Sequence, residues 1–216
     1  MRKVKSGEKK YIKLNKTSSN IIKKKEVKKS YNVKSKTKRK IQLKPIPWLV
    51  PKAIEALKTH IEEYGNQKIK VLEFGSGGSS LWFLSFKNIL LTSIEHQKRY
   101  ADALVNEIDD FGRDRHLLFC QSRPYDGIAL NKSISKKFGD EKFDVILIDG
   151  RDRVRCARVA KDIIAPEGMI MLDNSERKRY TPIIDLFKDW KKDQGKKGWK
   201  TTWWFAPKLV GDKNGA

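Results

Sequence analysis

The chain has 216 residues, enough for one α/β domain with a proper core plus an extension, and too few for a second full domain. Its net charge of +22 is unevenly spread, since residues 1–44 hold 18 Lys or Arg against Glu8 and Glu26, a surplus of +16 that leaves +6 for the other 172 residues. Two cysteines, Cys120 and Cys156, without C-x-x-C spacing exclude a zinc ribbon and a disulfide framework, and no apolar run approaches the roughly 18 residues of a membrane span.

Residues 1–44 alternate Lys with Ser, Thr, Asn and isolated Ile, Val or Tyr, with no sustained helical or strand period. Such a segment buries too little apolar area to offset the entropy of ordering, so a disordered arm is expected. It serves either as a solubilising tail or as an electrostatic arm for RNA, DNA or another anionic surface. The segment also lacks the apolar stretch of a secretory signal. A soluble, unsecreted, cytoplasmic protein is expected, with a nuclear alternative in a eukaryote from K-T-K-R-K at 36–40.

The closely spaced prolines of Pro45-Ile-Pro47-Trp48-Leu49-Val50-Pro51 mark an extended connector, with Trp48 available to dock on the domain that occupies residues 45–210. A helix from Pro51 with the stripe Ala53, Ile54, Leu57 and Ile61 stops at Gly65-Asn66. The apolar run Ile69–Phe74 predicts a buried strand that leads into a glycine-rich turn and a helix over Ser79–Phe86. Glycine at 75, 77 and 78 removes Cβ atoms where a ligand would approach the backbone, and it allows positive φ.

The next strand, Ile89–Ile94, ends at Glu95, 20 residues past Gly75. A carboxylate at that spacing suits the hydroxyls of a ribose; the other reading makes it an N-terminal cap for a helix over Gln97–Ile108. His96 beside it is either an exposed spacer or a packing partner for an adenine ring. A short strand, Leu117–Cys120, precedes the loop Gln121–Gly127, whose Gln121 and Ser122 are candidates for contacts to a base.

Phe143-Asp-Val-Ile-Leu-Ile-Asp149-Gly150 reads as a central parallel strand ending in an acid and a glycine. Arg151, Arg153 and Arg155 open the following helix, where they oppose its dipole; a bound anion would compensate, as would local pairing with Asp149 and Asp152. Ala165–Gly168 is a turn into a fifth strand, Met169–Leu172, which ends in Asp173-Asn174. A helix over Pro182–Trp190, a basic turn region over Lys188–Gly198 and a final strand over Thr201–Phe205, one side of an edge hairpin, complete the chain.

This order of elements, with E-F-G-S-G-G-S at 73–79, Glu95 and F-D-V-I-L-I-D-G at 143–150, resembles class I S-adenosylmethionine-dependent methyltransferases over residues 50–208. Ser79 stands where that family's motif has its last glycine. The resemblance implies an α/β fold with a doubly wound, mostly parallel seven-stranded sheet. It also implies that Glu73, Phe74, Gly75, Ser76, Gly77, Gly78 and Ser79 hold the methionine part of the cofactor, Glu95 with His96 the nucleoside, and Gln121–Ser122 the adenine edge. Asp149 joins the cofactor set, and Asp149 and Asp173 are the candidate catalytic residues.

Asp149 with Asp173-Asn174 is also similar to the divalent-metal ligands of cation-dependent O-methyltransferases, which implies Mg²⁺ as a cofactor. The Gly-Arg after Asp149 departs from that pattern, and the competing view makes the acids hydrogen-bond acceptors and dispenses with the metal. Arg151, Arg153, Arg177 and Asn174 would then meet an anionic substrate. The expected activity is methyl transfer to an oxygen of a small-molecule or glycan acceptor. The alternatives are a nucleic-acid methyltransferase using the arm, a non-catalytic nucleic-acid-binding protein and a nicotinamide dehydrogenase.

Overall fold

The computed structural model describes residues 41–108, 110–120 and 142–208. The expectations for residues 1–40, and for Gln121 and Ser122, fall outside the described residues. In chain order the elements are α1 (Pro51–Glu63), β1 (Ile69–Phe74), α2 (Gly78–Leu84), β2 (Ile89–Glu95), α3 (Lys98–Glu107), α4 (Asp110–Asp114) and β3 (His116–Cys120). They continue with β4 (Phe143–Ile148), α5 (Arg153–Ile163), β5 (Ile164–Leu172), a 3₁₀ turn (Lys178–Tyr180), α6 (Thr181–Leu186), β6 (Lys191–Lys197) and β7 (Trp199–Phe205).

The seven strands form one sheet in the order β3-β2-β1-β4-β5-β7-β6. The first five are parallel, and β7 runs antiparallel to both of its neighbours. This is the expected doubly wound, mostly parallel α/β sheet. Alternate residues of the central strands enter two cores, as a strand's two-residue period requires. Ile69 and Val71 of β1 join Leu57, Phe83 and Leu104 on one face, while Leu72 and Phe74 join Ala157, Ile183 and Phe187 on the other. Both faces of the inner strands are therefore covered, which explains their near-continuous apolar runs.

Several expectations are corrected. The Lys188–Gly198 region is no simple turn, because it contains the whole of β6, the outer strand of the sheet. K-K-D-Q-G-K-K carries no apolar signal, and only Gly195 is buried. A Cβ at Gly195 would stand 2.6 Å from a methyl group of Val50. Lysines along such a strand keep its open edge from pairing with another chain. The final helix is shorter than expected, ending at Leu186, and β5 begins at Ile164, with its register against β4 shifted between Phe143 and Val145.

The connector also differs from expectation. Trp48 is 84% exposed and does not dock on the domain; Pro47, Leu49 and Val50 are the buried residues. Leu43, partly buried, already packs against the first core. Residues Lys44 and Ile46 cross the first turn of α2. A Cβ at Gly78 would lie 2.4 Å from the Ile46 carbonyl oxygen and 2.5 Å from that of Lys44. Gly78→Ala is therefore expected to destabilise the fold by about 1–3 kcal/mol through displacement of this crossing. Urea denaturation checks this, and an unchanged midpoint would show that the connector moves aside at no cost.

Candidate active site

The carboxyl ends of β1, β2, β4 and β5 converge on one edge of the sheet, where open α/β sheets place their ligands. At the centre, the tips of β1 and β4 touch through bare backbone. The Phe74 carbonyl accepts from Asp149 N–H at 3.1 Å and from Gly150 N–H, and Gly75 N–H reaches the Ile94 carbonyl at 2.8 Å. A Cβ at Gly75, where φ is +106°, would stand 3.0 Å from Gly150 N, and one at Gly150 would be 2.9 Å from the Phe74 oxygen. These glycines are thus required by the protein's own backbone, as Gly78 is by the connector. Gly77 alone of the turn's glycines has open space beside it, with nothing within 4 Å of a Cβ.

Glu73 does not line the cleft. Its side chain is buried beside α2, 1% exposed, and accepts from Ser79 Oγ at 2.8 Å, from Ser80 Oγ and from Ser93 Oγ at 2.6 Å. Ser80 Oγ in turn accepts from Gly77 N–H at 3.0 Å, and Ser93 Oγ lies 2.9 Å from Nε2 of His116. A hydrogen-bonded chain therefore runs from the glycine turn through the carboxyl to β3. Burial pushes the Glu73 carboxyl up to about 7 from its ordinary value of 4.5, against the three hydroxyls that favour the anion.

Glu95 occupies the opposite side of the turn. Its Oε2 accepts from Ser76 N–H at 2.9 Å and stands 3.4 Å from Ser76 Oγ, while Oε1 accepts from the N–H groups of His96 and Gln97, both at 2.7 Å. Both of the latter N–H groups precede α3, whose N-cap position is Gln97, so Glu95 orders the approach to the helix without capping it. Glu95 also lines a cleft of about 360 Å³ with Gly75, Ser76, His96, Gln97, Tyr100, Asp149 and Gly150. Oε2 keeps acceptor capacity toward that cleft because its bond to the Ser76 hydroxyl is long.

Asp149 stands on the far wall, and Asp173 is buried and is not among the lining residues. Arg153 is buried and donates to the carbonyls of Asp149 and Asp173, to the Gly150 carbonyl at 2.9 Å and to Asp149 Oδ1 at 2.9 Å. Asp173 Oδ1 accepts from Trp199 Nε1–H at 3.1 Å and Thr201 Oγ at 2.9 Å. Desolvation raises both aspartate pKa values, against the Arg153 guanidinium that favours their charged forms. Asp152 and Asn174, just past the ends of β4 and β5, hold φ of 53° and 49°. Left-handed backbone at non-glycine residues is a strain that concentrates at functional edges. Arg151, Arg177, Arg179 and Tyr180 complete the lining.

Solved structures share this architecture. The chain is similar to a methyltransferase-like protein from Silicibacter pomeroyi, at 19% identity and a TM-score of 0.53, over 77% of this chain and 91% of that one. It is similar to an O-methyltransferase from Bacillus cereus solved with S-adenosylhomocysteine, at 16% identity and 0.55, over 73% and 82% of the two chains. It is similar as well to the O-methyltransferase TomG from Streptomyces achromogenes solved with S-adenosylmethionine, at 15% and 0.55, over 75% and 83%. The fold is that of the class I S-adenosylmethionine-dependent methyltransferases. No protein-family model matches the chain, and no curated protein sequence matches it at a significant level.

Within this methyltransferase fold, the structure sorts the residues singled out from the sequence. Gly75, Ser76, Glu95, His96, Asp149, Arg151, Arg153 and Arg177 come together in one cleft. Glu73 and Phe74 lie behind it, Phe74 as a core side chain, and Gly77, Gly78, Ser79 and Asn174 are not among its lining residues. Arg153 is a bolt between strand ends, which leaves it little capacity for a substrate. Sequence reasoning missed Ser80, Ser93 and His116 around Glu73, Trp199 and Thr201 on Asp173, and Tyr100, Arg179 and Tyr180 in the cleft. Ser93 carried a signal, as a polar residue in an apolar strand, and it lies directly opposite Glu73 in the β1–β2 register.

The raised Glu73 pKa has a definite sign. Because the folded value lies above the unfolded one, its contribution to stability is full below about pH 4.5 and is lost as pH rises through about 7. That contribution is up to about 3 kcal/mol. Glu73→Gln is expected to remove this part of the pH dependence, so thermal unfolding between pH 5 and 8 should show a flatter profile than wild type. Parallel profiles would show that Glu73 is already ionised in the fold.

Proposed function

We propose that the chain is an S-adenosylmethionine-dependent methyltransferase acting on an oxygen of a small-molecule or glycan acceptor with an anionic group. The observation that carries this reading is the cleft itself, where Glu95 and Asp149 face each other across the bare turn at Gly75-Ser76 under a rim of arginines. Its donor set fits the cofactor. Glu95 Oε2 can accept from a ribose hydroxyl, Tyr100 and His96 offer ring surfaces to a base, and Asp149 can accept from an ammonium group. The volume of about 360 Å³ lies within the range of ligand sites.

When bound, S-adenosylmethionine supplies a methyl group on a positively charged sulfur. The chain's own residues hold the acceptor oxygen in line with that methyl at about 3–3.5 Å and receive its proton. Asp149, which opens onto the cleft with 36% of its side chain exposed, is the candidate base. Asp173 is buried and held by Trp199 and Thr201, and its charge adds to the burial that raises the proton affinity of Asp149. Arg151, Arg177 and Arg179 stand where an anionic acceptor would enter.

A divalent cation fits this donor set poorly. The Arg153 guanidinium already neutralises Asp149, and two donors occupy Asp173 Oδ1. Among the described residues no group of three or more His, Cys, Asp or Glu could hold a metal. No step is therefore routed through Mg²⁺.

Calorimetric titration with S-adenosylhomocysteine tests the reading. Wild type is expected to bind, and Glu95→Gln to bind at least about tenfold more weakly, the usual cost of losing a charge-assisted hydrogen bond. Wild type that fails to bind would end the methyltransferase assignment. Once an acceptor is in hand, Asp149→Asn is expected to lower kcat by about 10²-fold or more.

A further inference from the structure

A second groove, of about 550 Å³, adjoins the cleft and shares Arg151, Arg153, Arg179 and Tyr180 with it. Its remaining wall is Asp152, Val154, Arg155 and Arg158. Resting on the methyltransferase reading, we propose that this groove is the acceptor's anion subsite, taking a phosphate or sulfate ester on a sugar-sized molecule whose hydroxyl reaches Asp149.

Arg155 and Arg158, three apart, share one face of α5, and Arg151, which precedes the helix beyond the left-handed Asp152, lines the same groove. All three are exposed. Like charges at that spacing repel, and near a helix N-terminus they also oppose the dipole, so the helix alone gives no reason for the cluster. A solvated convex face would tolerate it. Here the cluster lines a concavity, opposite Arg179 from the 3₁₀ turn, whose guanidinium stacks 5.1 Å from the centre of the Tyr180 ring. Among the described residues of the lining, Asp152 is the one carboxylate.

Guanidinium groups on two walls match the three oxygens of a tetrahedral oxyanion better than they match a neutral ligand, because the planar fork binds oxyanions bidentately. The shared residues set the direction. An acceptor lying in the groove passes Arg151 and Arg179 and presents its other end to Asp149. The subsite therefore selects acceptors in which the methylated hydroxyl and the ester sit on one molecule. The sequence pointed to an anionic substrate through Arg151, Arg153 and Arg177; in this proposal Arg153, which is spent on the strand ends, gives way to Arg155, Arg158 and Arg179.

The test uses the full chain and four probes, glucose 6-phosphate, glucose 6-sulfate, glucose and a single-stranded oligonucleotide, each titrated in parallel with S-adenosylhomocysteine. Wild type is expected to bind one or both esters and not glucose; which ester binds more tightly distinguishes a phosphate from a sulfate acceptor. The double variant Arg155→Gln/Arg158→Gln lies outside the cofactor cleft. It is expected to weaken ester binding at least about tenfold and to leave S-adenosylhomocysteine affinity within about twofold of wild type. Ester affinity equal in wild type and variant, or cofactor binding with no ester binding, overturns the subsite while the methyltransferase reading stands. Ester binding that the variant loses, with no S-adenosylhomocysteine binding by wild type, keeps the groove as an anion site and removes the methyltransferase reading. If only the oligonucleotide binds, and the variant loses it, the groove belongs to a nucleic-acid backbone and the sugar-ester assignment falls.

Discussion

One guanidinium holds the working edge of this sheet together. Arg153 reaches back from the start of α5 to the carbonyls at the ends of β4 and β5 and to the Asp149 carboxylate. Strand ends leave carbonyls without ladder partners, and buried carbonyls need donors. A rigid five-donor fork satisfies several at once while its charge balances the neighbouring acid. The spacing of Asp149 and Asp173, and with it the far wall of the cleft, follows from that single side chain. The residue that looked most like a substrate contact is what allows the others to become one.

The three acids nearest the glycine turn show how position decides chemical character. Glu73 and Glu95 leave neighbouring parallel strands on either side of the turn, yet one is enclosed by three serine hydroxyls and the other accepts backbone N–H groups beside an open cleft. In the first, desolvation outweighs hydrogen bonding and the proton is retained toward neutral pH. Asp149 is a third case, partly open and coupled to Asp173. Ser79 departs from the family's glycine pattern, and with Ser80 it has a local reason, since both hydroxyls are donors to a buried carboxyl. They tie the first turn of α2 to β1 at the point where the connector crosses Gly78.

Much of the fold was legible because parallel strands buried on both faces are spelled as apolar runs, and β1 begins and ends where the run Ile69–Phe74 does. The outer strand was illegible for the opposite reason. β6 buries almost nothing and owes its conformation to hydrogen bonds with β7, which leave no trace in the residue pattern. Trp48 misled in the same way, since an aromatic residue signals available apolar area but not the direction it faces. The family resemblance supplied the cofactor, and the carboxylate-and-glycine spacing placed Glu95 and Gly75 in one cleft.

By itself, the order of residues determined the class of sheet, the turn at its centre and the acids at three strand ends, because those depend on local periodicity and on spacings within one β-α-β unit. Only the packed chain decided which acids are buried away from the cleft, which arginine is spent on carbonyls and which others share a groove. Those outcomes depend on contacts between residues 20 or more positions apart, such as Arg153 with the Asp173 carbonyl and Ser93 with Glu73. Burial, which raises the proton affinity of Glu73, Asp149 and Asp173, is a property of the assembled layers and of no single segment.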